Sequence, residues 1–122
     1  MNFAKITLVG NAARDIETRY TQNGKQNAQF TVAVNGRRND AGESPAAFYR
    51  ITAWGRLAET LDKLAQQGAL TKGSRVLVTG RLEPRDYEHN GQQRTALEVT
   101  ADDVMLLDRR EQGGEGGGNV PF

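Results

Sequence analysis

A chain of 122 residues, 37% hydrophobic and 25% charged, is sized for one compact domain with a modest core, and self-association often supplements a core that small. The absence of cysteine excludes disulfides and thiolate-held metal, the single histidine (His89) argues against a zinc or histidine-triad site, and no apolar run approaches the roughly 20 residues of a membrane-spanning helix. Net charge is only +1, but 12 of the 16 basic residues are arginine, whose guanidinium stacks on flat rings and forks onto phosphate.

Phe3, Ile6, Leu8 and Val9, ending at Gly10, predict a first strand with Phe3 in the core. Arg14 to Tyr20 reads as its more exposed continuation, and Asn23-Gly24 is a strong hairpin signal. Ala28, Phe30, Val32 and Val34 alternate with Gln29, Thr31 and Ala33, the period of a half-buried strand with Phe30 inward. Asn35 to Pro45 is rich in turn formers and predicts a long, mobile loop. Ala47 to Trp54 is the next strand. Leu57, Leu61 and Leu64, with Ala58 and Ala65 beside them, then mark one face of a three-turn helix that Gly68 is placed to cap. Strands return over Ser74 to Glu88 and Thr95 to Asp108, on either side of an Asn90-Gly91 turn.

The order predicts an all-β fold of five strands with one helix between the third and fourth, and two hairpins projecting near Arg37 and Asn90. This is the order of an OB-fold, a Greek-key barrel, although period and spacing alone specify only a small barrel with one helix.

No catalytic constellation assembles. Glu59 and Asp62 lie on the polar face of the helix, Asp102 and Asp103 point opposite ways in extended chain, and neither Ser44 nor Ser74 sits in a nucleophile elbow. A nuclease on a barrel needs clustered carboxylates or a metal site, so an enzyme, a metal and a cofactor are all unexpected.

Binding chemistry is better represented. Aromatic residues and arginines interleave at Arg19-Tyr20, Phe48-Tyr49-Arg50, Trp54-Gly55-Arg56 and Arg85-Asp86-Tyr87. Single-stranded nucleic acid is held by this pairing, with rings stacked on bases and cations following the phosphates. Alternation puts Phe48, Arg50, Thr52 and Trp54 on one face and Tyr49, Ile51 and Ala53 on the other. An arginine sharing a face with Phe48 and Trp54 marks that face as wet. Tyr87, in a charged hairpin between Arg85 and His89, is hard to bury, while Tyr20 fits either role.

The stretches "ITLVGNAARDIETRYTQNGKQNAQFTVAV", "YRITAWGRLAE" and "GSRVLVTGRLEPRDYEHNGQQRTALEV" resemble the bacterial single-stranded DNA-binding protein family from about Asn2 to Leu107. The resemblance implies an OB-fold DNA-binding and oligomerisation domain over 1–110. It also implies a homotetramer built as a dimer of dimers, and sequence-tolerant binding of single-stranded DNA in replication, recombination and repair, in the bacterial cytoplasm. The family's base-stacking positions fall on Phe48, Trp54 and Tyr87. A further one falls at Arg38, where Arg37-Arg38 replaces the tryptophan of enteric members and implies more salt-dependent binding at that loop. Arg50 occupies a family-typical basic position, and Arg14, Arg19, Arg37, Arg56, Arg81 and Arg85 are further candidates for phosphate contact. The alternative is a primosomal or protein-interaction relative with weak DNA binding, against which the retained aromatics argue.

Residues 111–122, "EQGGEGGGNVPF", form a glycine-rich tail expected to be disordered. Its tip, Val120-Pro121-Phe122, resembles the family's Pro-Phe hook for replication and repair proteins, without the usual preceding run of aspartates.

Overall fold

The structure, a computed structural model, describes residues 2–107. Its elements are β1 (Ala4–Ala12), β2 (Glu17–Tyr20), β3 (Gln26–Asn35), β4 (Ala46–Trp54), α1 (Gly55–Gln66), β5 (Arg75–His89) and β6 (Gln92–Leu106). The sheet runs β1-β5-β6-β4-β3-β2 and is closed into a barrel by β1 pairing with β3. The β4–β6 pairing is parallel and the others are antiparallel. This is the OB-fold, with the expected first strand broken into β1 and β2.

The break has a geometric cause. Ala4 to Asn11 of β1 pair with β5, but Asn11 and Ala12 already face Ala33 and Val32 of β3. The chain must bend at 13–16 before β2 can continue along β3, where Glu17 faces Gln29. Gly10 sits where the two ladders converge, and a Cβ there would collide with the Ala33 carbonyl and the Val32 side chain. Gly80 meets the Thr100 carbonyl in the same way, where the β5–β6 register shifts and Asp102 becomes the extra residue of a bulge.

Inward alternation fills the barrel with Leu8, Phe30, Val32, Ile51, Val76, Val78 and Val99. The helix adds Ala58 and Leu61, both fully buried, with Leu57 and Leu64 packed partly against the same cluster. Each large side chain buried this way contributes about 1.5–3 kcal/mol. The helix ends where expected: the Gly68 N–H donates to the Ala65 carbonyl at 3.1 Å and the Ala69 N–H to the Leu64 carbonyl at 2.9 Å.

Phe30 is core, as its alternation predicts, but Phe3 is not; it is 61% exposed. It precedes β1 and shares the outward phase of Lys5, Thr7 and Val9, which alternate with inward Ile6, Leu8 and Gly10, so it stands on the outer face of the barrel. The loop between β3 and β4 is closed by the Gly36 N–H donating to the Pro45 carbonyl at 2.6 Å. At its tip Asn39 Oδ1 accepts from the Ala41 and Glu43 N–H groups, both at 2.9 Å. The expected boundary at 110, the 111–122 tail and the Val120-Pro121-Phe122 tip lie outside the described residues.

Candidate nucleic-acid interface

β4 carries the centre of the site. Ile51 and Ala53 are fully buried, so Phe48, Arg50 and Trp54 point out of the barrel. Phe48 is 56% and Trp54 43% exposed, a large apolar area for single rings on a surface. β6 lies between β4 and β5 in the sheet, and across it the projecting β5–β6 hairpin presents Tyr87, 39% exposed. The turn that aims this hairpin is Asn90-Gly91, with φ of +54° and +77°; both residues are left-handed, as a two-residue turn between twisted strands requires.

Glu98 of β6 sits between the two aromatic strands. It is the register partner of Arg50 on β4 and of Glu83 on β5. Arg85 donates to Glu98 Oε2 through Nε at 2.9 Å, with its Nη2 2.8 Å from that oxygen, and Arg50 Nη1 lies 3.8 Å from it. The hydrogen bond from Arg85 holds the Glu98 carboxyl below its ordinary range against partial burial, with the charges of Arg85 and Arg50 adding to it. The same hydrogen bond, with the Glu98 charge, raises Arg85 above an ordinary guanidinium. The Arg85 guanidinium also stands 5.9 Å from the centre of the Tyr87 ring, within cation–π reach.

Trp54 is the last residue of β4 and the N-cap of α1, and it makes no side-chain capping bond. Gly55 follows with φ of +62°, a left-handed step that turns strand into helix and would be strained with a side chain. Trp54, Gly55, Arg56 and Glu59 face Gly24, Lys25 and Gln26 around an open concavity of about 520 Å³.

The structure therefore places Phe48, Arg50 and Trp54 on β4 and Arg85 and Tyr87 on β5, the two strands that flank β6, with Arg56 beside Trp54. Arg37 and Arg38 are exposed in the loop leading into β4. Arg19 lies in the same cross-strand row as Trp54, with Asn27 between them. Arg14 and Arg19 share Glu17 at 3.5 and 3.2 Å. Arg81 lies farther off, exposed and opposite Lys5 of β1 and Thr100 of β6. Three residues join the surface that residue-type patterning did not single out: Lys25 in the concavity, Arg94 directly opposite Tyr87, and Glu98. Arg94 was within reach of the sequence, because a two-residue turn at Asn90-Gly91 makes Tyr87 and Arg94 cross-strand partners. Among the described residues no His/Cys/Asp/Glu group could hold a metal ion, and no helix is long and apolar enough to cross a membrane.

The sequence model of the single-strand binding protein family matches residues 3–107. The chain is 40% identical to single-stranded DNA-binding protein A of Bacillus subtilis (strain 168) over 93% of its length, and spans 64% of that protein. It is 35% identical to single-stranded DNA-binding protein 1 of Streptococcus pyogenes serotype M18, over 87% of its own length and 79% of that protein's. In structure it is similar to a small single-stranded DNA-binding protein from Streptomyces coelicolor, with a TM-score of 0.70 at 28% identity, covering 87% of this chain and 95% of that one.

Proposed function

The chain belongs to the single-strand binding protein family, a family of binding proteins and not of enzymes, and from that premise we propose that it binds single-stranded DNA without regard to sequence. The observation that carries the reading is the set of exposed rings at Phe48, Trp54 and Tyr87 on strands that also present Arg50, Arg85 and Arg94. Bases stack on the rings and phosphates follow the guanidiniums, with Arg38 offering a further flat cation to a base. Arg14, Arg19, Arg37, Arg56 and Arg81 extend the basic surface. Its biological setting on this reading is replication, recombination and repair in the bacterial cytoplasm, on the nucleoid. Partner proteins are recruited through Val120-Pro121-Phe122.

The same reading makes the protein a homotetramer. Two surface features support self-association. Among the described residues, Ala4 to Gly10 of β1 are paired on one side only, by β5, and an open strand edge invites another chain. Val9, Leu77 and Met105 form an outward apolar row across β1, β5 and β6.

The test is a titration with poly(dT), following the fluorescence of Trp54, the single tryptophan, at low and high salt. Stacking quenches the emission, and salt weakens the binding. An unquenched tryptophan together with unchanged gel mobility of the DNA would rule the reading out.

A further inference from the structure

A surface meant for a polyanion has a carboxylate at its middle. Glu98 lies on the strand between the β4 aromatics and Tyr87, so a DNA backbone running from one to the other passes over it. Its Oε2 is the oxygen on which both Arg85 and Arg50 converge. Arg50 shares the outward face of β4 with Phe48 and Trp54, and Arg85 stands 5.9 Å from the centre of the Tyr87 ring. In the free protein the guanidinium donors that a phosphate would use are therefore already turned toward an anion.

Resting on the single-stranded DNA reading, we propose that Glu98 is an internal competitor for the DNA backbone: its carboxylate occupies the Arg50–Arg85 clamp until a phosphate displaces it. The carboxylate thus serves two ends. It orients both guanidiniums before DNA arrives, and it lowers the net charge of the clamp from +2 to +1, which limits affinity and eases release of the strand. The side chains are exposed enough, at 59% and 53% for Arg50 and Arg85 and 34% for Glu98, that the pairing is weak against water and salt. Displacement by a phosphate is therefore inexpensive. The same two-to-one sharing recurs where Glu17 meets Arg14 and Arg19.

Glu98→Gln tests this, because the amide still accepts a hydrogen bond from Arg85 while the charge is gone. Glu83→Gln is the matched control: Glu83 faces Glu98 across β5–β6 but makes no ion pair within 4.0 Å among the described residues. Poly(dT) affinity is measured by Trp54 quenching over a salt series, with circular dichroism establishing that both variants are folded. Glu98→Gln is expected to bind roughly threefold to tenfold tighter at low salt, with a salt slope steeper by about 0.7, one more phosphate neutralised on a single strand. Glu83→Gln should change both by clearly less. Unchanged or weaker binding by Glu98→Gln overturns the proposal and makes Glu98 a strut. Equal gains from the two variants also overturn it, in favour of net charge alone. If the wild-type protein itself leaves Trp54 unquenched, the DNA reading falls and this proposal with it; quenching by wild type with no gain in Glu98→Gln removes only this proposal.

Discussion

Tyr87 and Arg94 are direct cross-strand partners near the end of the β5–β6 hairpin, with Arg85 near the same ring, 5.9 Å from its centre. One flat ring thus has one guanidinium near its face and a second arginine as its cross-strand partner, on a ribbon that is exposed from Glu83 to Thr95. Tyr87→Ala should weaken poly(dT) binding by about 1–3 kcal/mol, the worth of one stacked base, with little change in salt slope. Arg94→Ala should instead flatten the slope by roughly 0.7, the mark of one lost phosphate contact. Affinities at four salt concentrations separate the two effects. Identical slopes for all three proteins would show that Arg94 does not touch the backbone.

The ion pair at Glu98 also has a pH signature. Its folded-state pKa lies below its ordinary value of 4.5, chiefly through the Arg85 hydrogen bond. A depressed carboxyl stabilises the fold above the unfolded pKa, and that contribution is lost as pH falls through the folded value. The groups facing it are Arg50 from β4 and Arg85 and Glu83 from β5. Glu98→Gln should therefore melt slightly below wild type at neutral pH, and the gap should close as pH drops below about 4.5. Parallel melting curves at every pH would mean the ion pair adds nothing to stability.

DNA affinity responds to the same group in the opposite direction. If phosphate displaces Glu98 from its arginines, the bound-state carboxyl loses its cations and gains an anion as neighbour, so its pKa rises on binding. At acidic pH, near and below about 4.5, binding then takes up part of a proton, and wild-type affinity gains on acidification through that range relative to Glu98→Gln. Isothermal titration at about pH 4.5, in buffers of different ionisation enthalpy, reads this uptake directly. Equal proton uptake by the two proteins would contradict displacement.

What the sequence made legible follows from the range of each interaction. The wet face of β4 could be read because Phe48, Arg50 and Trp54 alternate with Ile51 and Ala53, a pattern carried within one strand. Phe3 was misread for the complementary reason. One apolar residue at the start of a run does not reveal its phase when Ile6, Leu8 and Val9 include apolar residues of both phases, and here Phe3 falls on the outward phase of Thr7 and Val9. The break after Ala12 was hidden because it is imposed by convergence with β3, not by a local turn signal. Glu98 was invisible because its meeting with Arg50 depends on parallel pairing of β4 and β6, whose residues lie far apart in the chain and follow no local period.

The loop between β3 and β4 offers a test of arginine as a stacking residue. Arg38 stands where an aromatic is expected from the resemblance, and it is exposed in that loop, three residues past the end of β3. A guanidinium holds a base partly through charge, a ring through contact alone. Arg38→Trp should bind poly(dT) with a slope shallower by about 0.7 and hold it better at high salt. A variant that loses affinity equally at every salt concentration would assign Arg38 a role other than stacking.

The apolar row Val9–Leu77–Met105 addresses assembly. Leu77 is its centre, pairing with Val9 on one side and Met105 on the other. It points away from the core, since its neighbours Val76 and Val78 are the fully buried residues. If this face packs on a second copy, a charge at its centre is buried without a partner, at a cost of several kcal/mol. Leu77→Lys should then fall to a smaller assembly in sedimentation analysis at micromolar concentration. Its circular dichroism should stay that of the wild type, because the substitution leaves the barrel interior untouched. A wild-type protein that sediments as a monomer, or a Leu77→Lys variant with the wild-type mass, would show that this row is not the interface.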